Sequence, residues 1–266
     1  PQTNVPGEWT SPTQPFPTKP EPLMPDLDES DIWGVIGFLD KKECLKKFKA
    51  LRYEGIFTPP SVEGTLQYPG FIGGVNWGGV SVNPQSNIAI LSLHHFPFIL
   101  KLEEREQGKR YHYPQHGTPY AMQSSLFGSS MFGAPCIKPP WSHLTAINLN
   151  TGEQLWQQPF GTLKNLAPMG GLFAWGGMAL GGNMQTAGGL SFIGATMDAN
   201  FRAFDTDTGE LLWEADLPYA AHAMPMTYRL RKDSKQFIVI ASGGKGLFES
   251  VGSKTGDALM AFSLPD

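Results

Sequence analysis

Charge is scarce in this sequence. Only 17% of its 266 residues are Asp, Glu, Lys or Arg, the formal net charge is −4, and no basic block interrupts it. A nucleic-acid binder needs a basic stripe, so that partner class is excluded. Long apolar runs are missing too. The nearest candidate, 169–182, is short and broken by six glycines, against the roughly 20 residues a membrane helix requires. Residues 1–25 are polar and proline-rich rather than a basic segment followed by an apolar one. The sequence therefore reads as beginning inside a longer polypeptide, with any anchor or export signal upstream. Two cysteines, Cys44 and Cys136, cannot build a zinc site alone and lack CxxC spacing. They are either two buried free thiols or one long-loop disulfide, which requires an oxidising compartment. Six histidines show no metal-ligand spacing beyond the adjacent His94 and His95, and neighbours on a strand point to opposite faces. No metal ligand is assigned within the chain. Nucleophile-elbow, P-loop and dinucleotide fingerprints are also missing.

What is abundant is turn chemistry. Glycine (31) and proline (23) are frequent and aromatics reach 12%, a composition suited to a large sheet protein. Apolar residues make up 41% and recur in alternating runs, which excludes a disordered chain. One segment repeats. Ala146-Ile147-Asn148-Leu149-Asn150-Thr151-Gly152-Glu153-Gln154-Leu155-Trp156 matches Ala203-Phe204-Asp205-Thr206-Asp207-Thr208-Gly209-Glu210-Leu211-Leu212-Trp213 at a constant offset of 57 residues. Each copy reads as strand, Asn/Asp-Thr-Gly turn, strand. The glycine supplies a positive φ and the Asn or Asp side chain closes the turn on local backbone. The closing Trp is placed to pack between neighbouring sheets. Four-stranded units recurring at roughly this period mark a β-propeller.

On that template, 79–82, 87–93, 144–149 and 153–158 form one blade, interrupted by a Pro-, Gly- and Ser-rich excursion over 102–140. Residues 190–195 and 201–204 lie inside a second blade that ends near Leu217. A third uses 226–230, 236–240 and 258–262, with three strands and no fourth. The fold class is all-β, a partial propeller ring of about three blades with long insertions and a short helix. The helix is expected over 40–51, with apolar positions at 44, 45, 48 and 51 on one face. Asp40 is its expected cap, Glu43 stands at the capping-box position, and its lysines form a solvated face. The domain division is 1–76, a Pro-rich insertion, helix and lead-in, and 77–266, the blades.

The order and spacing of several short motifs carry a resemblance. They are Trp9-Thr10-Ser11-Pro12-Thr13-Gln14-Pro15-Phe16, Arg52-Tyr53-Glu54-Gly55-Ile56-Phe57-Thr58-Pro59-Pro60-Ser61 and Asn76-Trp77-Gly78-Gly79-Val80-Ser81-Val82. Further along come Thr186-Ala187-Gly188-Gly189, Asp198, Pro225-Met226-Thr227-Tyr228, Gly243-Gly244-Lys245-Gly246 and Gly256-Asp257. The sequence resembles, nearly end to end, the membrane-bound dehydrogenases that use pyrroloquinoline quinone (PQQ), the glucose and quinate/shikimate dehydrogenases. The resemblance implies the C-terminal portion of an eight-bladed propeller tethered on the periplasmic side of the inner membrane. It also implies PQQ near the propeller axis beside a divalent cation (calcium or magnesium), whose ligands lie mostly upstream. In such enzymes an alcohol loses a proton to an Asp and a hydride to the quinone, and ubiquinone accepts the electrons. That Asp and a PQQ-holding Lys belong to the part before Pro1, so the N-terminal remainder of the propeller is an expected partner and the isolated chain is expected to lack turnover.

By the same resemblance Asn76 approaches the cofactor, Trp77 lines or supports its pocket, and Asp198 is a catalytic residue. PQQ is a planar quinone with three carboxylates, which wants a flat surface, cations and neutral donors. Lys245 stands where glucose dehydrogenases tend to carry His, at a position linked to substrate preference. A lysine is a point charge with three donors and no acceptor, which favours a substrate carboxylate. The expected activity is therefore oxidation of quinate, shikimate or a related cyclic polyol, with glucose as the alternative. A third reading, of a different class, is a non-catalytic propeller serving as a binding or assembly scaffold.

Overall fold

The computed structural model describes residues 1–131, 133–165, 170–244 and 254–265. In chain order the first elements are helix α1 (Phe38–Ala50), β1 (Thr65–Gln67), β2 (Val80–Asn83), β3 (Ile88–His94), β4 (Phe98–Glu104) and β5 (Tyr120–Leu126). Next come β6 (Ser142–Asn148), β7 (Glu153–Pro159), β8 (Asn183–Gln185), β9 (Leu190–Ile193) and β10 (Asn200–Asp205). The last are β11 (Leu211–Asp216), β12 (Met226–Arg229), β13 (Gln236–Ser242) and β14 (Ala258–Phe262). Two compact units divide the chain.

The first unit comprises Pro1–Thr18, Pro22–Gly73 and His95–Lys138. The excursion packs with the N-terminal segment instead of standing as a loop of its blade. The excursion also holds strands: β4 and β5 pair antiparallel, and β1 joins β4 on the other side. Alternation at 98–102 and 120–126 was the available signal. Its Pro- and Gly-rich flanks obscured it.

Helix α1 turns Cys44 into the unit, where it is disulfide-bonded to Cys136 across 92 residues of sequence. Of the two readings left open, the disulfide is the one realised. Phe48 packs beside Phe127 and Tyr53 at ring distances of 6.4 and 6.3 Å. The expected cap is corrected. The N-cap is Gly37, with no side-chain hydrogen bond, and the helix begins before Asp40. Asp40 is buried in the first turn and accepts the backbone N–H groups of Val35 and Ile36 at 2.8 and 3.1 Å. A carboxylate there meets the positive end of the helix and satisfies two donors of the incoming chain. Glu43 forms no capping box either. It pairs with Lys47 at 2.6 Å and accepts the Ser130 hydroxyl.

The second unit comprises Lys19–Glu21, Gly74–His94 and Pro139–Asp266, and carries three blade-like sheets. Their strand orders are β2-β3-β6-β7, β8-β9-β10-β11 and β12-β13-β14, all antiparallel. Among the described residues the third sheet has three strands, as expected. Inner strand β8 is too short, and too rich in amide side chains, to show in the sequence.

The repeat behaves as its chemistry requires. Asp205 Oδ1 accepts the N–H groups of Asp207 and Thr208 and the Thr208 hydroxyl. The equivalent Asn148 accepts Asn150 N–H. Each copy carries a register shift at the same place, after Ala146 and after Ala203. Each Trp then reaches the next sheet. Trp156, on β7, donates its indole N–H to the Thr206 carbonyl at 3.0 Å, beyond β10. Trp213, on β11, packs edge-on against Phe262 of β14 at 5.1 Å.

Two apolar layers result, one on each face of the middle sheet. Ile88, Ile90, Leu144, Phe160, Ile193 and Phe204 fill the first. Phe201, Leu217, Ile238 and Ile240 form the second, with Phe192 against them. Ile193 and Phe192, adjacent on β9, serve opposite layers because strand side chains alternate.

Candidate functional site

The antiparallel order sends the starts of β2, β8 and β12 and the ends of β3, β9 and β13 to one end of the three sheets. The connections there run over 74–79, 160–182, 194–199 and 217–225. Asn76, Trp77 and Asp198 all lie on them, so the topology brings the sequence candidates to one end of the second unit. Lys245 falls outside the described residues.

Asn76 and Trp77 occupy a turn just before β2. One side is pinned by paired backbone bonds between Gly74 and His94 at 2.9 and 3.2 Å. The other side is pinned by close backbone packing. A Cβ on Gly78 would lie 2.6 Å from the Gly181 carbonyl oxygen and 2.8 Å from Ser92 Oγ, so only glycine fits. Gly181 in turn lies against Ala195 and the His222 backbone. The inner ends of the first two sheets and the lead-in to the third are thus held together by main chain. Between these pins Trp77 remains 52% exposed. Asn76 is exposed as well, and its amide has no hydrogen bond to another described residue. An open indole and an uncommitted amide on a fixed turn can meet a flat ligand with little rearrangement.

Asp198 is different in kind. Its carboxylate is wholly buried and engaged on both oxygens. Oδ2 accepts Arg202 Nη2 at 2.6 Å, Thr162 N–H at 2.9 Å and the Thr162 hydroxyl at 3.2 Å. Oδ1 accepts the Thr196 hydroxyl at 2.6 Å, Arg202 Nη1 at 3.2 Å and Asn200 N–H at 3.3 Å. Burial alone would raise its pKa, but the Arg202 charge and these hydrogen bonds outweigh it and hold the group below the usual carboxylate range. Arg202 also bonds Glu214 at 2.6 Å and lies over the Phe160 ring. The flanking Ala195 and Ala199 take positive φ values of 58° and 57°, a strained conformation for residues with a Cβ that persists only where surroundings impose it. The Asp198 network is what imposes it here.

A cavity of about 350 Å³ opens beside this loop, bordered by Lys164, Asp198, Asp216, Tyr219 and Lys254 among others. Asn76 and Trp77 do not line it. The structure therefore separates the two expected contributions: an open aromatic-amide turn, and a buried charge network beside a cavity. The sequence reading missed Arg202, Thr162, Thr196, Lys164, Tyr219 and Lys254. Arg202 offered a signal, as the lone charge inside an otherwise apolar run four residues after Asp198.

Antiparallel sheets of this order, joined by the tryptophans of a repeated hairpin, are blades of a β-propeller. The chain belongs to the family described as PQQ, glucose/ethanol/alcohol dehydrogenase, beta-propeller domain, which it matches over residues 1–238. It is 39% identical, over all of its length, to the quinoprotein glucose dehydrogenase of Escherichia coli (strain K12), of which it covers 35%. It is 36% identical over 91% of its length to the quinate/shikimate dehydrogenase (quinone) of Acinetobacter baylyi (strain ATCC 33305 / BD413 / ADP1), covering 32% of that protein. The chain thus spans about a third of the length of these curated relatives. Among solved structures, the quinohemoprotein alcohol dehydrogenase of Comamonas testosteroni matches with a TM-score of 0.55 and 24% identity, over 75% of this chain and 27% of that one. That likeness shows the propeller fold.

The described residues fit one side of PQQ. The Trp77 indole offers a stacking surface and the Asn76 amide a neutral donor, both open on a fixed turn. No group of three or more His, Cys, Asp or Glu suited to a metal ion occurs among the described residues.

Proposed function

We propose that this chain supplies the C-terminal blades of a PQQ-dependent dehydrogenase that oxidises quinate, shikimate or a related cyclic polyol. The observation that carries the reading is the Asn76–Trp77 turn, exposed at the inner strand ends while pinned on both sides by main chain. Bound PQQ supplies the hydride acceptor. Trp77 and Asn76 would hold the cofactor, the indole as a stacking surface and the amide as a neutral hydrogen-bond donor. The Gly74–His94 and Gly78–Gly181 contacts keep that turn from yielding. Asp198 acts by positioning: its bonds to Thr162, Thr196 and Arg202 fix the 194–199 connection, and through it Ala195, which packs against Gly181.

The N-terminal remainder of the propeller is the expected companion. Met226, Tyr228 and Leu259 of the third sheet, and Leu230 just after β12, are exposed, a set of apolar side chains that a further blade would cover. The catalytic Asp, the PQQ-holding Lys and the ligands of a calcium or magnesium ion belong to that remainder, so the isolated chain lacks turnover. A periplasmic site tethered to the inner membrane, with ubiquinone as acceptor, completes the reading. The disulfide between Cys44 and Cys136 supports the compartment, because such bonds persist where conditions are oxidising.

Glucose oxidation is the second reading, favoured by the 39% identity to a glucose dehydrogenase. Initial rates of the intact, PQQ-loaded enzyme with quinate, shikimate and glucose decide between them. Faster turnover of glucose than of either ring acid would replace the first reading with the second. An absence of PQQ-dependent turnover on all three would overturn both.

A further inference from the structure

Strand β2 is a slight support for the Asn76–Trp77 turn. It follows that turn after Gly78 and Gly79, is four residues long and forms the edge of its sheet, next to β3. Val80 and Val82 are 49% and 48% exposed, so the strand gains little from burying them. Ser81, between them, points to the opposite face because strand side chains alternate. There it meets a side chain of the second sheet.

That side chain is Gln185, the last residue of β8. Its Nε2 donates to Ser81 O at 2.9 Å, Ser81 Oγ at 3.0 Å and Ile88 O at 3.2 Å, so one amide grips both β2 and β3. Two of these neighbours are carbonyl oxygens, which only the nitrogen end of the amide can face. Gln185 is itself anchored. It pairs with Ser191 in the β8–β9 ladder, and the hairpin beyond it is closed by Thr186 N–H on Leu190 O at 2.8 Å and Gly189 N–H on Thr186 O at 3.1 Å. Gln185 Oε1, by contrast, is buried with no hydrogen-bond partner among the described residues. A buried acceptor without a partner is costly. An apolar side chain of similar length would avoid that cost, so the value of the amide here lies in its donors.

We propose that Gln185 is a positioning residue for the Asn76–Trp77 turn: it clamps β2 to the second sheet and so holds the open indole and amide in place. The turn is then gripped through Gly74 on His94, through Gly78 on Gly181 and through Ser81 on Gln185. The first two grips are made by main chain. The third is made by a side chain, and a single substitution releases it. The clamp stands on these contacts alone. Its consequence for cofactor binding rests on the proposed dehydrogenase function.

The test compares Gln185→Met and Gln185→Glu with the unaltered intact enzyme. In cofactor-free protein, Gln185→Met lowers hydrogen-exchange protection over 76–83 about tenfold, the scale of one net hydrogen bond, and leaves β13 and β14 unchanged. PQQ affinity, measured by titration, falls by a similar factor. Gln185→Glu shows the same losses at neutral pH, where a carboxylate faces the Ser81 and Ile88 carbonyls. Measured against the unaltered enzyme at each pH, its protection over 76–83 recovers as pH falls, because the protonated carboxyl regains a donor. Unchanged protection over 76–83 in Gln185→Met, a loss shared equally by all three sheets, or no recovery of Gln185→Glu in acid overturns the clamp. Local loss of protection with unaltered PQQ affinity upholds the clamp and counts instead against the turn as a support for the cofactor.

Discussion

Asp198 and Arg202 lie four residues apart, yet they close a buried ion pair at 2.6 Å that joins three separate segments of the second unit. The acid sits in the connection before β10 and the base within that strand. Thr162, from the connection after β7, completes the cage.

Breaking that pair from either side leaves a buried charge without its partner. Asp198→Ala is expected to destabilise the second unit by about 3–5 kcal/mol, the cost typical of an orphaned buried ion. Asp198→Ala with Arg202→Met should cost clearly less than the two single changes added together, because the orphan is removed. Equilibrium denaturation of the four proteins checks this. Full stability of Asp198→Asn combined with abolished turnover would instead return Asp198 to direct chemistry.

The indole of Trp156 bridges the first two sheets of that unit. Trp156→Phe keeps the ring but loses the bond to Thr206, at a cost of about 1 kcal/mol. Trp156→Ala also opens a gap against Gly209 and should cost about 2–4 kcal/mol. Gly209 itself has a φ of +77° and no room for a Cβ beside the Trp156 ring. Gly209→Ala should therefore destabilise as well, and thermal midpoints order the three.

Reduction of the Cys44–Cys136 bond frees a loop of 92 residues. The first unit should lose about 2–5 kcal/mol in reducing buffer. Hydrogen exchange should locate the change in α1 and the segment around Cys136. Protection lost equally in β9 and β10 would contradict the division into units.

Acid sensitivity follows from the buried histidines. Burial pushes His94 down from 6.5 to about 4, and it lowers His143 and His222 as well. The unfolded chain takes up these protons first, so stability rises with pH between about 4 and 6.5 and is fully present above that window. Because His94 also holds Gly74 through two backbone bonds, Trp77 should loosen in step. Stability measured against pH, with His94→Gln as the comparison, should show a shallower acid limb in the variant.

Much of this was legible in the residues themselves. The Asn/Asp-Thr-Gly turns ending in Trp156 and Trp213 announce hairpins, and their offset announces blades, because turn geometry and strand alternation are local properties. The same locality explains α1, whose inward residues repeat at helical spacing. Its start was misread because a buried Asp40 that serves incoming backbone looks, in sequence, like a cap.

What lay beyond reach were relationships between segments far apart in the chain. Nothing local distinguishes a solvated Asp198 from one caged by Thr162 and Arg202, or shows that β1 would join β4 and β5. Sequence determined the strands, the turns and the positions able to carry chemistry, since φ preferences and side-chain alternation act over a few residues. Tertiary structure alone decided which of those positions stay open, as Trp77 does, and which close on a partner, as Asp198 does. That outcome depends on desolvation and on contacts made only when the sheets come together.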